Sequence, residues 1–196
     1  MHRRELSLAR GWIARASLLV LCAFVGSAAV AAVFSADAVK AAFLFRFASY
    51  VEWPAESAPH GPFVIAVASA EEVAKHLDGI LPRVTVRGRP AVVRRVTRVE
   101  DLGGVHILYV GMDSLPRTRV LRRAALERPI LIVTDDVDGM DAGGVINFIA
   151  ADRNVRFEVS LVAADRARLK IDSALLSVAA KVERRPQAAS ESRGEQ

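Results

Sequence analysis

The sequence contains one cysteine in 196 residues, and this residue, Cys22, lies in an apolar stretch near the N-terminus. The rest of the chain therefore has no thiol. This excludes an intramolecular disulfide, a thiol nucleophile in the folded body and a metal site built from cysteines. Such a domain must be stabilised by its apolar core alone, which a chain of this length can bury.

Familiar catalytic motifs are missing as well. The sequence has no GxSxG, no HExxH, no P-loop and no GxGxxG, the patterns that carry common hydrolytic and nucleotide-dependent chemistry. Its four histidines are not spaced as metal ligands, and His106 is most simply a strand histidine with one hydrogen-bonded ring nitrogen. The sequence therefore predicts neither an enzyme nor a bound cofactor or metal ion.

The charge is nearly balanced once the N-terminal leader is set aside. A basic segment, MHRRELSLAR, precedes an apolar run from Ile13 to Val33, a pattern typical of a cleavable signal peptide. We expect cleavage after Ala31 or Ala32, with an uncleaved membrane anchor as the alternative. Beyond residue 32 there are 23 basic and 21 acidic residues, a net charge of +2, which does not favour nucleic-acid binding.

What the chain does have is a concentration of aromatic residues between Val39 and Pro54. This stretch holds five of the twelve aromatic residues, and their spacing predicts an amphipathic helix against which the core forms. Ser35 is placed to cap the helix and Pro54 to end it near Trp53. Arg46 falls within the predicted aromatic face, where a buried guanidinium requires an acidic or carbonyl partner.

The remaining pattern predicts one α/β domain over residues 33–183, with a signal peptide over 1–32 and a disordered tail over 184–196. Short apolar runs at 63–68, 105–110 and 130–134 predict buried strands, with helices over 70–81 and 118–127 between them. In the second of these helices we expect Val120 to point inward. Ser69 and Glu72 fit a capping box. A hairpin over 145–150 and 154–162 and a last helix complete the domain. The expected fold is a three-layer sandwich with a mixed, partly parallel central sheet.

A loop rich in aspartate follows the third predicted strand, where open α/β sheets place ligands. Asp135 and Asp136 could contribute to a metal site, although a solvated turn is the favoured explanation. The amides of Gly143 and Gly144 could approach an anion, although a tight turn into the next strand is the simpler explanation. These four residues form the candidate ligand or anion loop.

Several segments resemble the YfiR family of periplasmic proteins: KAAFLFRFASYVEWP, VHILYVG, ILIVTDDVDGMDAGGVINFI, VRFEVSL and RLKIDSALLSVA. The resemblance spans residues 39–182. It implies a periplasmic α/β domain that inhibits an inner-membrane diguanylate cyclase, thereby lowering cyclic-di-GMP signalling and biofilm formation. It further implies that an outer-membrane lipoprotein relieves the inhibition, and it leaves open whether the protein forms a homodimer.

Two site predictions accompany this resemblance. We expect a partner-binding surface of exposed apolar residues beside the hairpin and last helix, with burial in the core as the alternative for each residue: Val159, Leu161, Leu169 and Ile171. We also expect a buried ion pair between Arg46 and Glu158. The alternatives to a binding protein are a small-ligand sensor with a pocket near residues 134–144 and a metal-dependent hydrolase that uses the acidic loop.

Overall fold

The structure is a computed structural model that describes residues 35–57, 61–111, 116–151 and 154–184, with Ala151 described by its backbone alone. The predicted signal peptide and all but the first residue of the predicted tail lie outside these ranges. None of the helices within them is both long and apolar enough to cross a bilayer.

Helices and strands alternate along the described chain. The helices are α1 (Ala36–Tyr50), α2 (Glu71–Ile80), α3 (Pro116–Ala125), α4 (Leu161–Arg166) and α5 (Ser173–Val178). The strands are β1 (Val51–Glu52), β2 (Phe63–Ala68), β3 (Thr85–Val86), β4 (Arg89–Arg95), β5 (Ile107–Val110), β6 (Leu131–Thr134), β7 (Ile146–Ala151), β8 (Asn154–Ser160), β9 (Lys170–Ile171) and β10 (Lys181–Glu183). Short 3₁₀ turns cover Leu81–Arg83 and Val99–Leu102.

Eight of these strands form one mixed sheet in the order β10-β8-β7-β6-β5-β2-β4-β3. The pairs from β4 through β2, β5 and β6 to β7 are parallel. The hairpin pairs β7–β8 and β3–β4 are antiparallel, and β10 pairs with β8 in parallel. The predicted mixed, partly parallel sheet with a C-terminal hairpin is therefore confirmed.

Both faces of the sheet are covered, because alternate residues of a strand point to opposite sides. On one side Phe63, Ile65 and Val67 pack with α1 and α2 in the larger core. On the other side the intervening strand residues pack with Leu121 and Ala125 of α3. This arrangement confirms the predicted three-layer sandwich.

The aromatic-rich helix is α1, and Ser35 caps it as predicted, since its Oγ accepts a hydrogen bond from the Ala38 amide at 3.1 Å. The helix ends at Tyr50 rather than near Trp53, because Val51 and the following residue are extended and pair with β9. An aromatic cluster with ring centroids 5.2–6.0 Å apart joins α1 to the hairpin: Phe43, Phe47, Phe148 and Phe157.

Three local predictions are wrong. Ser69 does not cap α2, because its backbone is left-handed (φ +55°) and Ala70 takes the N-cap position without a side-chain hydrogen bond. The predicted strand through residue 162 ends at Ser160, whose Oγ caps α4 by accepting from the Ala163 amide at 3.1 Å. Val120 of α3 was expected to point inward but is 58% exposed.

Candidate functional site

A crevice lies between the ends of strands β2 and β5, where the chain leaves these two strands in opposite directions. Strands β2 and β5 are neighbours, but the chain leaves β2 through α2 towards β4 and leaves β5 through α3 towards β6. Open α/β sheets bind ligands at such a switch point, outside the carboxyl ends of the strands. Here the crevice encloses about 300 Å³.

A partly buried polar cluster forms one wall of this crevice. Asp135, which follows β6, accepts hydrogen bonds from the Tyr109 hydroxyl at 3.0 Å and from the Lys40 ammonium of α1. Burial, followed by the charge of Asp135, raises the pKa of Tyr109 above its ordinary value, so the phenol stays protonated and remains a donor. The cluster thereby ties α1, β5 and the end of β6 together.

The other charged side chains around the crevice are also paired. Glu71 at the start of α2 is bound by the Arg95 guanidinium at 2.9 Å, and this hydrogen bond lowers the pKa of that exposed carboxylate. Glu72 pairs with Lys75 at 2.7 Å. These acidic side chains are therefore engaged in surface ion pairs.

The backbone is constrained at the mouth of the crevice. Ser69, directly after β2, is left-handed at φ +55°, a conformation that costs free energy for a residue with a Cβ. Gly111, directly after β5, lies so close that a Cβ on it would stand 2.7 Å from the Ser69 carbonyl oxygen. The close approach of these two strand exits therefore requires glycine at position 111.

The candidate ligand loop is divided by the structure. Asp135 lines the crevice, whereas the Asp136 amide donates to Asn147 Oδ1 at 3.3 Å. The amides of Gly143 and Gly144 donate to the carbonyls of residues 140 and 139 at 2.9 Å. Turns within the loop therefore use both donors, which agrees with the favoured explanation by a tight turn and leaves neither amide free for an anion. Within the described ranges no group of three His, Cys, Asp or Glu side chains is placed to hold a metal ion.

A second concave feature, the α1–α2 groove, lies between the outer sides of the first two helices and encloses about 560 Å³. Its lining is largely apolar: Ala38, Val39, Ala42, Phe43, Gly79 and Ile80. Arg46 and His76 supply the polar lining. Sequence reasoning overlooked this groove because it treated α1 only as a source of core residues.

A sequence profile of the YfiR/HmsC-like family matches residues 37–180, which is most of the chain. The chain belongs to the YfiR/HmsC-like family. The predicted resemblance is thus confirmed, and the matched range begins in α1 and ends between α5 and β10. Proteins of this family are periplasmic and regulatory, and in general terms they act with membrane diguanylate cyclases.

Comparisons with other proteins add little beyond the family. No match is found among curated proteins. One similar solved structure is a conserved domain protein from Vibrio cholerae O1 biovar El Tor, at 12% identity and a TM-score of 0.45, covering 66% of this chain and 57% of that one. Another is the ABC domain in complex with L-Trp from Streptococcus pneumonia, at 10% identity and a TM-score of 0.46, covering 71% of this chain and 58% of that one. The chain spans less than two thirds of either structure.

The predicted partner-binding residues of this YfiR/HmsC-like protein are less exposed than expected. Val159 is 0% exposed and Leu169 is 3% exposed, so the prediction of an exposed surface is wrong for both, and they belong to the core. Leu161 and Ile171 are partly buried and pack against that core. The short β1–β9 pairing places Ile171 opposite Val51 and helps to cover Ile171.

The predicted buried ion pair is also wrong. Arg46 is exposed, and among the described residues no ion pair joins it to Glu158. The buried face of α1 includes Leu44, and two residues correspond to about 200° of rotation around a helix. Arg46 therefore lies on the outer side of α1, at the α1–α2 groove, instead of facing the hairpin.

Proposed function

We propose that this protein is a periplasmic binding protein that inhibits an inner-membrane diguanylate cyclase and so lowers cyclic-di-GMP signalling and biofilm formation. The observation that carries this proposal is the family match over residues 37–180. It covers nearly all of the aromatic helix and every strand of the sheet except β10, so most of the described domain takes part in the resemblance. An outer-membrane lipoprotein that sequesters the protein would relieve the inhibition.

The described surface supports binding to another protein. The charged side chains that surround the crevice are engaged with one another. By contrast, the α1–α2 groove, which has a volume of about 560 Å³, presents apolar side chains to solvent. Concave apolar surfaces of this kind are typical of sites that bind protein segments or small molecules.

Export by a cleavable signal peptide is part of the same proposal. The basic segment and apolar run at the N-terminus support it, as does membership in a periplasmic family. The test is the N-terminus of the protein purified from its own organism. An N-terminus at Ala32 or Val33 is expected, and an intact Met1 on protein in the cytosol would contradict the proposal.

The function itself is tested by deleting and overproducing the protein in its own organism. We expect deletion to raise cyclic-di-GMP and biofilm matrix, and overproduction to lower both. The control is a strain that also lacks the responsible cyclase, in which neither change should occur. Unchanged cyclic-di-GMP in the single deletion would refute the proposed function.

A small-ligand sensor is the second candidate, and the crevice favours it. The cavity of about 300 Å³ sits at the switch point of the sheet, with the strained Ser69 at its mouth and the Lys40–Asp135 pair in its wall. A thermal-shift screen of small polar metabolites tests this candidate. A compound that stabilises the protein but not the variant Asp135→Asn would support it, and a screen without any stabilising compound would count against it.

A further inference from the structure

Helix α1 lacks the polar outer side that a surface helix of a globular protein normally has. Its fifteen residues include three charged ones, Asp37, Lys40 and Arg46. The first two lie beside the crevice, where Lys40 binds Asp135. The outer side therefore presents a single charged side chain, that of Arg46. The other exposed residues on that side, Ala42 and Ser49, are small and uncharged. A helix that is apolar on nearly all sides is normally covered on nearly all sides.

The α1–α2 groove has dimensions that suit a helical segment. It follows the nine residues of α1 from Ala38 to Arg46, which span about 12 Å at the helical rise of about 1.5 Å per residue. Small residues on both helices, Ala42 and Gly79, contribute to its lining. Small side chains let the axis of an incoming helix approach to about 8 Å. An apolar helix laid into a groove between helices is a recurrent mode of protein recognition.

The charges of the groove define the chemistry of its occupant. Its lining contains no acidic residue, and Arg46 forms no ion pair with any described residue. A wholly apolar occupant would remove water from this guanidinium without replacing the lost hydrogen bonds. An occupant with a carboxylate at this end would instead form a charge-assisted hydrogen bond, and in the best geometry a bidentate one.

Two other occupants do not provide that carboxylate. A second copy packed through the same groove would offer only the same lining, which contains no carboxylate, because a two-fold interface uses the same surface patch twice. The apolar run of the leader, from Ile13 to Val33, contains Arg15 and no acidic residue. Charge complementarity therefore favours a different protein.

We propose that the α1–α2 groove binds an apolar helix of the membrane cyclase, supplied by its periplasmic region and carrying one acidic residue that pairs with Arg46. This assignment rests on the proposed function and specifies its contact surface. The groove would be the inhibitory interface, and sequestration of the protein by another partner would have to cover or distort it.

Gly79 offers a test that separates binding from folding. A Cβ at this position would meet nothing within 4 Å, and its φ is not left-handed, so a larger side chain fits the helix and projects into the open groove. The variant Gly79→Leu should fold as well as the wild type while filling the groove. Gly79→Ala is the matched control, and Val120→Arg is a second control on α3, across the sheet from the groove.

The binding experiment uses the exported protein and the periplasmic region of the cyclase whose loss suppresses the deletion phenotype. We expect Gly79→Leu and Arg46→Glu each to weaken binding about tenfold or more, the size typical of a central contact. Thermal unfolding should be unchanged in both, and both controls should bind as the wild type does. Changing the acidic residue of the cyclase to Lys should restore binding to Arg46→Glu.

The failures of the two proposals are distinguishable. If the wild type binds no cyclase and its deletion leaves cyclic-di-GMP unchanged, the proposed function itself fails. If the wild type represses and both groove variants repress equally well, the groove assignment is overturned while the function stands. If light scattering shows that Gly79→Leu converts a dimer into a monomer, the occupant is a second copy, and the assignment is overturned as well.

Discussion

Protonation of His106 should destabilise the fold in mildly acidic conditions. The side chain is 3% exposed, its ring stacks on Phe63 at a centroid distance of 4.4 Å, and its Nδ1 accepts a hydrogen bond from the Val64 amide at 3.1 Å. The Arg89 guanidinium lies 3.4 Å from Nε2. Burial, and then the charge of Arg89, lower the pKa of His106 from 6.5 to about 4, because both disfavour the imidazolium ion.

The direction and size of the effect follow from this pKa difference. Between the two pKa values the unfolded chain takes up a proton on His106 and the folded chain does not, so acidification favours unfolding. The stability that the fold gains from keeping His106 neutral is fully present above about pH 6.5 and is lost as the pH falls towards 4. At about 1.36 kcal/mol per pKa unit, the loss reaches about 2 kcal/mol at pH 5 and about 3 kcal/mol at pH 4.

Urea unfolding at pH 7.5 and pH 5 measures this loss. The comparison is with His106→Asn, which can still accept from the Val64 amide but cannot take up the proton. We expect the free energy of unfolding to fall by about 2 kcal/mol more in the wild type than in this variant. Equal losses in the wild type and His106→Asn, or an NMR titration that places the His106 pKa near 6.5, would refute the reasoning.

Three further predictions concern stability and are checked by denaturant unfolding. Gly111→Ala should cost about 1–3 kcal/mol, because its Cβ would stand 2.7 Å from the Ser69 carbonyl oxygen; an unchanged midpoint would contradict this close approach. Asp135→Asn should cost about 1–3 kcal/mol by removing the carboxylate that Lys40 and Tyr109 both bind. Adding Lys40→Met should recover part of that loss, and strictly additive losses would exclude the coupling. Phe47→Ala should cost about 3–5 kcal/mol, since Phe47 is 0% exposed within the aromatic cluster; a loss below about 1 kcal/mol would contradict its central position.

The elements that were predicted correctly are each indicated by a pattern within a few neighbouring residues. The run at 63–68 is apolar throughout and rich in β-branched residues, and the strand found there is buried on both faces. Ser35 caps α1 because the hydroxyl, the turn and the helix start lie within four residues of one another. The hairpin was located from alternating strands on either side of a short polar turn. Such signals need no knowledge of what the element packs against.

The predictions that failed depend on partners distant in the sequence. The two-residue strands β1 and β9 exist because they pair with each other across more than a hundred residues. Ser69 has the sequence of a helix cap but adopts a left-handed backbone, since it leaves β2 beside Gly111. The prediction of an Arg46–Glu158 ion pair failed because the packing of Phe47 and its neighbours sets the rotation of α1 about its axis.

The sequence by itself determined the three-layer α/β class and the concentration of the core on one aromatic helix, since composition and periodicity encode burial directly. The family was recognised separately, from the resemblance of particular segments. Only the tertiary structure decided which side of that helix faces solvent. It also brought Lys40, Tyr109 and Asp135 into one cluster and opened a groove between α1 and α2. The physical reason is that periodicity states how much of an element is buried, whereas the position of a side chain relative to distant elements depends on how they pack together.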